Sequence, residues 1–447
     1  MTARAMTAAD VSRLLGRAAF GATAADLDLW AGREYDHLVE ELLAANTHPA
    51  ALPLPDDAIR LKLENDTDTT SRTTVAARGW WLERMRTTPF PLVEKMTLFW
   101  HGHFATAVNN PPFPQDLVRQ NQTLRANALG NFRTMVAQMT IDPAMLYWLS
   151  GTHNRVPSPN ENYAREFFEL FTLGKSPQVY SERDIRQAAR AFTGWYLDGT
   201  GVPVFAMDRH DKGSKRILGR TVKNLGDKEY LQLVDIALDH GMSYRFIAWK
   251  LIANFGYVPP RNVYKTSDKL VGKVAQALRS NDWDIAAGVR ALLLADEFRY
   301  ANPGAGRQLV RQPVECVVHA AKVFGVRADD PALLAALDGM GQSLFAPVNV
   351  GGWPLGAEWV SPVTAIARYD AGLAIHRLAT TVPGVAETFP QPGDLAGWAK
   401  RLGLAGFGQN TKNAVSNYLR RSGGAPVADR QTGVLALLLS SPEWAVM

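Results

Sequence analysis

The sequence predicts an all-α, multi-helical protein. Apolar residues recur three and four positions apart along most of the chain, as in Val11, Leu14, Leu15 and Ala18. Ser, Thr, Asp or Pro precedes many of these segments, and these residues are typical of helix starts. Strand-like patterns are confined to residues 200–220, where we expect a short β-hairpin or an ordered loop excursion.

The apolar repeats and the Gly and Pro breaks place the helices in order along the chain. Helices are expected after Thr7 and Thr23, and a further helix that starts near Pro91 runs into a pair of histidines. The others are expected at about 35–44, 72–88, 114–128, 131–140, 143–149, 161–173, 181–195, 227–240, 242–254, 263–279, 283–298, 306–325, 330–338, 362–379, 393–402, 410–421 and 430–440. Loops are expected at 45–56, 109–112, 150–160 and 340–358.

The length of 447 residues exceeds what one compact core usually holds. We therefore expect two lobes, at about 1–225 and about 226–447, with the candidate site in the first. The net charge of +5 is spread without a basic block, which argues against nucleic acid as a partner. The single cysteine, Cys316, excludes an intramolecular disulfide and stands in an apolar stretch typical of a core. No signal-peptide or transmembrane segment is evident, so a cytoplasmic location is the default expectation.

Polar residues that resist a packing explanation are concentrated in residues 94–219, which hold four of the nine histidines. His101 and His103 come first. Residues at i and i+2 lie about 200° apart on a helix, so one ion can meet both imidazoles only if the helix ends or bends at Gly102. The pair is a usable fragment of a metal site that needs further ligands. The alternative is a structural helix end with imidazoles near the last carbonyls.

The segment 160–173 gives the clearest helical pattern. Asn162, Arg165, Glu166 and Glu169 share one polar arc, and Asn160 stands where a cap is expected. One interpretation is a solvated face with an Arg165–Glu169 pair. The other is an arc that faces an internal polar cavity, where either glutamate could be a general base or a metal ligand.

Residues 208–215 combine acid, imidazole and ammonium groups on an expected loop. His210 and Asp211 could supply further metal ligands, and Lys215 could bind an anionic group. The alternative is a solvated hairpin tip.

Residues 351–354 predict a tight turn with a buried indole, or a Trp353 that stacks on a substrate. Phosphate-binding loops and a Gly-x-Ser-x-Gly nucleophile motif are absent from the sequence.

The same segments carry a resemblance to the bacterial family catalogued as domain of unknown function 1800. The shared stretches span nearly the whole chain and lie at 11–21, 98–106, 159–174, 189–195, 210–219, 312–315, 349–353 and 438–443. The resemblance implies one family-length unit and a site drawn from the histidine pair, the 160–173 helix and the 208–215 stretch. It also implies an exported location in many members, and a sulfatase-like protein encoded nearby as a partner.

Two hypotheses stay open. The first is a metal-assisted, hydrolytic enzyme in which His101, His103, His210 and Asp211 hold a divalent metal ion. In that hypothesis the catalytic residues are Glu166, Glu169 and Arg165, and the substrate-binding residues are Asn160, Asn162, Lys215 and Trp353. The second is a non-catalytic binding or assembly protein in which the same polar residues form a structural hydrogen-bond network.

Overall fold

The computed structural model describes residues 5–44, 67–107, 114–260, 268–300 and 308–447. Some predicted features lie outside this part of the chain, namely the loops at 45–56 and 109–112 and the helix starts at 263 and 306. The structure confirms the all-α class, with 62% of the described residues in helices. In the described ranges, none of the helices has the length and apolarity that a membrane span requires.

In the described part of the chain, ten α-helices precede the strands. They are α1 (Ala8–Ala18), α2 (Ala24–Trp30), α3 (Tyr35–Ala44), α4 (Thr67–Thr87), α5 (Pro91–His103), α6 (Pro114–Ala126), α7 (Phe132–Thr140), α8 (Pro143–Trp148), α9 (Asn162–Glu166) and α10 (Glu182–Ala191). The helix predicted at 161–173 changes character along its length, because α9 continues as a π-helical segment, Phe167–Thr172. The hydroxyl of Thr172 donates to the carbonyl of Phe167 at 2.6 Å within that segment.

Twelve α-helices follow the strands among the residues that the structure describes. They are α11 (Glu229–Leu238), α12 (Gly241–Phe255), α13 (Lys269–Ser280), α14 (Ile285–Leu293), α15 (Asp296–Arg299), α16 (Pro313–Phe324), α17 (Pro331–Gly339), α18 (Pro362–Ala379), α19 (Leu395–Arg401), α20 (Gln409–Arg421), α21 (Val427–Leu439) and α22 (Pro442–Ala445). Reciprocal side-chain caps explain several of the predicted starts. Thr7, Thr23 and Ser181 each accept from the backbone N–H of an aspartate three residues later, whose carboxylate accepts in return.

The excursion near residues 200–220 consists of two hairpins. Strand β1 (Trp195–Leu197) pairs antiparallel with β2 (Pro203–Phe205), and β3 (Lys215–Ile217) pairs antiparallel with β4 (Arg220–Val222). The prediction of a short β-hairpin or ordered excursion near residues 200–220 is confirmed, although residues 208–215 do not form a hairpin tip. Residues 206–214 connect the two hairpins. The helix predicted at 181–195 ends at Ala191, because the chain from Trp195 enters β1.

The apolar core forms two clusters. The first draws on residues from Met6 to Phe298 and includes Trp100, Phe132 and Phe171. The second joins α4 to the helices from α16 onward and includes Trp81 and Phe345. Residues of α5 contribute to both clusters. The division into lobes near residue 225 stays a prediction.

Buried ion pairs fix α5 to its neighbours. The carboxylate of Glu94 is paired with Arg84 of α4 at 2.5 Å and with Arg125 of α6 at 2.6 Å. The next residue, Lys95, is paired with Glu315 of α16 at 2.5 Å. Each of these five side chains is nearly inaccessible to water. Removing one partner of such a pair leaves a buried, uncompensated charge, so these contacts hold α5 in one position between the two clusters.

Candidate functional site

Helix α5 places its two histidines against different apolar clusters. The helix continues without a break through Gly102 and ends at His103, close to the predicted helix end. Because the residues at i and i+2 point to opposite sides of a continuous helix, His101 and His103 have separate surroundings. His101 contacts rings of the second cluster, and His103 contacts rings of the first.

His101 lies in an aromatic cage. Its ring centroid is 5.1 Å from that of Trp81 and 5.3 Å from those of Phe345 and Trp353. Neither ring nitrogen has a hydrogen-bond partner among the described residues. Burial lowers the pKa of His101 to about 3, so the imidazole is neutral near pH 7. This surrounding makes His101 a neutral, packed ring.

His103 connects the two segments that the sequence singled out most strongly. Its Nε2 is 3.1 Å from the carbonyl oxygen of Phe171, in the π-helical segment. A carbonyl only accepts, so Nε2 carries the proton and Nδ1 is left as an acceptor. The Nδ1 atom is buried and has no partner among the described residues. Burial, and then the nearby charge of Lys250, hold the pKa of His103 well below its usual range.

The loop at 349–355 packs on α5 between the two histidines. Gly352 has φ +87, and a Cβ atom there would lie 2.1 Å from the carbonyl oxygen of Gly102. The backbone N–H of Gly352 donates to Asn349 at 3.0 Å and closes the tight turn that the sequence predicted. The indole of Trp353 is half-buried against Gly102 and His101, and its Nε1–H has no acceptor among the described residues.

A cavity of about 60 Å³ lies where this loop, α5, α12 and the start of α16 meet. Its wall includes His103, Trp353, Lys250, Asn254 and Gln312. The ammonium of Lys250 is 5.7 Å from the ring centroid of Phe246 and has no hydrogen bond or ion pair with the described residues. Burial lowers its pKa to about 8. The cavity thus brings an unpaired cation close to a neutral imidazole.

The polar arc of the 160–173 segment is partly exposed. Asn162 is exposed, and the half-exposed guanidinium of Arg165 donates to both carboxylate oxygens of Glu182, at 2.9 and 2.7 Å. The predicted contact of Arg165 with Glu169 is longer, at 3.8 Å. Asn160 accepts from the backbone N–H of Asn162 at 2.9 Å, which is a local turn contact at the helix start.

Glu166 and Glu169 differ in their partners. Glu169 lies 4.0 Å from Lys175, in addition to its contact with Arg165. Glu166 makes no hydrogen bond or ion pair with the described residues. Partial burial, and then the charge of Glu169, raise its pKa. These two glutamates lie on the same half-buried helix face and are not among the residues that line the cavity beside His103.

Within residues 208–215, His210 and Lys215 are buried and make contacts inside the protein. Glu229 of α11 is fully buried and pairs with His210 at 3.1 Å and with Lys215 at 2.7 Å. The other ring nitrogen of His210, Nδ1, is 2.8 Å from the carbonyl oxygen of Thr193. The carboxylate of Asp211 accepts from Arg190 at 2.7 and 2.9 Å. The side chains of His210, Asp211 and Lys215 thus have partners within the protein, and these contacts connect the two hairpins to α10 and α11.

The predicted site residues therefore fall into three groups. His101, His103 and Trp353 surround the contact between α5 and the 349–355 loop. His210, Asp211 and Lys215 form the second group, and the residues at 160–169 form the third. Across the described ranges, no set of three or more His, Cys, Asp or Glu side chains is placed to hold one metal ion. The assignment of a metal to His101, His103, His210 and Asp211 stays a prediction.

Three polar side chains that line the cavity were not among the predicted site residues. Lys250 stands in a run of apolar residues in α12, and a lone cation in such a run is a usable signal. Asn254 lies four residues later, on the same helix face. Gln312 precedes Pro313 in one of the stretches that carry the family resemblance. The side chains of Gln312 and Asn254 lie at hydrogen-bond distance, 3.5 Å.

Comparison with known proteins identifies a family for this chain. No curated protein and no solved structure matches it. One family model, described as a protein of unknown function (DUF1800), matches residues 13–446. The match covers the histidine pair, the 160–173 segment, the two hairpins, α12 and the 349–355 loop. The chain is therefore a member of the DUF1800 family.

Proposed function

We propose that this protein is an enzyme of hydrolytic type in which His103 accepts a proton. The observation that carries the proposal is the unpartnered Nδ1 of His103, a buried and neutral imidazole in the wall of a cavity. Nearly all buried polar atoms in proteins have a partner, so an orphaned acceptor at a cavity suggests a ligand or a reacting water.

The hydrogen bond to Phe171 supports this role. By accepting from Nε2, the Phe171 carbonyl fixes the tautomer and the orientation of the ring, and it leaves the lone pair on Nδ1. A water or hydroxyl at Nδ1 would donate its proton there while its oxygen attacks the substrate. The carbonyl would also stabilise the protonated imidazole as it forms, because it continues to accept from Nε2–H.

A metal-assisted form of this reaction stays a prediction. A divalent ion would polarise a carbonyl or activate water, with His101, His103, His210 and Asp211 as the predicted ligands. Glu166, Glu169 and Arg165 keep their predicted catalytic roles in that form. Metal analysis of wild-type protein, His101→Ala and Glu166→Ala tests it, and equal metal content in all three proteins would contradict it.

Hydrolysis of small activated esters tests the role of His103. Wild-type protein, His103→Gln and His153→Gln would be compared on p-nitrophenyl acetate, with His153 as the control because its side chain is exposed. General-base catalysis contributes about 10²- to 10⁴-fold, so His103→Gln should lose at least about 100-fold in rate. The His153→Gln rate should equal that of wild type. A wild-type rate no higher than that of His103→Gln would contradict the proposal.

One observation favours the non-catalytic alternative for the other predicted residues. Asn160, Arg165, His210 and Lys215 already have protein partners, as expected of a structural hydrogen-bond network. A binding or assembly protein would then use its surface for a partner. A sulfatase-like partner and an exported location are predictions of the family resemblance, and copurification with such a protein would support them.

A further inference from the structure

Asp142 is a buried carboxylate that makes no ion pair with the described residues. The residue is only 6% exposed. The buried glutamates of the chain differ from it, because Glu94, Glu229 and Glu315 each pair with a buried lysine or arginine. Burying a carboxylate without a counter-charge is costly, so the neutral and the charged form of Asp142 compete within the folded protein.

The hydrogen bonds of Asp142 come from neutral groups on two elements. Its Oδ1 accepts from the side-chain amide of Gln120 in α6 at 2.7 Å, and from the backbone N–H of Met145 in α8 at 3.0 Å. Gln120 accepts in turn from the hydroxyl of Thr106 at 2.6 Å. Both Gln120 and Thr106 are fully buried. One row of hydrogen bonds therefore joins the start of α8 to α6 and to the segment that follows α5.

The charged and titratable groups around Asp142 supply no counter-charge. Asp116 of α6 acts on it as a like charge, and Asp116 is itself paired with the exposed Arg119 at 3.0 Å. The hydroxyl of Tyr163 in α9 donates to Thr140 at 3.0 Å. The other such groups on the elements packed against α8 have partners elsewhere or face solvent: Arg125 with Glu94, Arg133 with Asp235, Tyr196 with Arg209, and the exposed His153.

Two opposing effects set the charge of Asp142. Hydrogen bonds from Gln120 and from the backbone of Met145 and Ala144 favour the carboxylate, whereas burial and then the charge of Asp116 favour the neutral acid. Burial is the largest of these effects. It raises the pKa of Asp142 from an ordinary 3.8 to about 7.

We infer that Asp142 is a pH-sensitive contact that holds α8 to α6 more firmly at pH 6 than at pH 8. At pH 6 the neutral acid keeps its place in the row of hydrogen bonds without a buried charge. At pH 8 the same position holds a carboxylate that only neutral groups solvate. The contact lies outside the set of residues that line the cavity beside His103.

The direction of the pH effect follows from linkage. The folded pKa of about 7 lies above the unfolded 3.8, so the folded chain binds more protons between these values. The stability that the neutral acid contributes is fully present below pH 3.8 and is lost as the pH rises through 7. These two pKa values predict that the equilibrium constant of unfolding rises about tenfold between pH 6 and pH 8 on account of Asp142.

Denaturant unfolding of wild-type protein and Asp142→Asn at pH 6 and pH 8 tests the inference. The amide has the shape of the neutral acid and does not titrate. The ratio of the wild-type to the Asp142→Asn unfolding constant should therefore rise about tenfold from pH 6 to pH 8.

The matched control is Asp284→Asn. Asp284 is an exposed cap of α14 that accepts from the backbone N–H of Ala287 at 3.3 Å. The ratio of the wild-type to the Asp284→Asn unfolding constant should be the same at both pH values. A wild-type to Asp142→Asn ratio that also stays constant would overturn the inference.

A second measurement uses wild-type protein alone, so the test does not depend on the folding of a variant. Carbon-13 NMR of aspartate-labelled protein should show a carboxyl signal that titrates with a midpoint of about 7. Exchange of the Met145 amide, corrected for the intrinsic effect of pH, should be faster at pH 8 than at pH 6. The absence of any aspartate carboxyl that titrates between pH 6 and pH 8 would overturn the inference.

Discussion

The backbone of Gly352 lies directly on the carbonyl oxygen of Gly102, two positions that are 250 residues apart in the sequence. The contact seats the 349–355 loop on α5 between His101 and His103. It also places the indole of Trp353 against His101 and over one side of the cavity. A contact between two glycines allows two backbone segments to approach more closely than they could with a Cβ atom between them.

Substitution of Gly352 should separate the loop from the helix. In Gly352→Ala the new methyl group would overlap the Gly102 carbonyl, and the left-handed φ of +87 adds its own strain. We expect a loss of about 3 kcal/mol or more in the free energy of unfolding. Chemical denaturation measures this loss.

The control for this variant is Gly341→Ala. Gly341 has a φ of +82, and a Cβ atom there would meet nothing within 4 Å. The free energy of unfolding of its alanine variant should fall by only about 1–2 kcal/mol, which is the strain of a left-handed residue. Equal losses at both positions would show that the contact with Gly102 adds nothing.

Replacing Lys250 should stabilise the protein near pH 7. The folded chain holds the pKa of this ammonium at about 8 against an ordinary value of 10.5, so folding opposes the charged form. Below pH 8 the whole penalty is present, and above pH 10.5 both states are neutral and it vanishes. Lys250→Met should therefore be more stable than wild type by about 1–3 kcal/mol at pH 7.

The pH dependence of unfolding tests the direction of this stability difference. Between pH 8 and pH 10.5 the unfolded chain binds more protons, so wild-type stability should rise toward that of Lys250→Met. Denaturant unfolding at pH 7, 9 and 10.5 measures the gap, and Lys273→Met serves as the exposed-lysine control. A Lys250→Met protein less stable than wild type at pH 7 would show that the ammonium has a stabilising partner.

His101 should behave as a packed neutral ring. His101→Phe replaces two unpartnered nitrogens with carbon in a cage of three aromatic rings. Its free energy of unfolding should therefore be about 1 kcal/mol higher than that of wild type at pH 7. Since the folded pKa of about 3 lies below the ordinary 6.5, wild-type stability should fall as the pH drops from 6.5 toward 3. The variant lacks this contribution, so its advantage should widen at pH 4. A destabilised variant that also loses bound metal would instead support the metal-ligand role.

Glu229 should be essential to the fold and Glu182 should not. Glu229→Gln removes the counter-charge of buried Lys215, and we expect a loss of about 3–5 kcal/mol. Glu182→Gln removes the exposed partner of Arg165, and we expect no measurable loss. Thermal and denaturant unfolding of the two variants compare these costs directly. Equal losses would mean that the polar arc at 160–169 is not simply a solvated face.

Much of the helical architecture could be predicted from the sequence because its signals are local. The apolar repeats and the caps at Thr7, Thr23 and Ser181 act within one or two helical turns, and the structure begins its helices there. The π-helical turn at Phe167–Thr172 was not predicted, since an aromatic run fits either helix type until it packs.

The site could be predicted only in part, because burial is a property of the fold. His210 and Lys215 looked like loop residues, and their partner Glu229 comes 14 or more residues later. Lys250 was not predicted as a site residue, because the cavity that it lines forms between α12 and the 349–355 loop, which lie about 100 residues apart in the sequence. The contact of His103 with Phe171 joins two predicted segments through a backbone carbonyl, which no side-chain pattern reveals.

The rate of p-nitrophenyl acetate hydrolysis at pH 7 by wild-type protein and by His103→Gln tests the central claim most directly. We predict that the wild-type rate exceeds the His103→Gln rate by at least about 100-fold, because the variant lacks the proton acceptor. Equal rates for the two proteins would contradict the account.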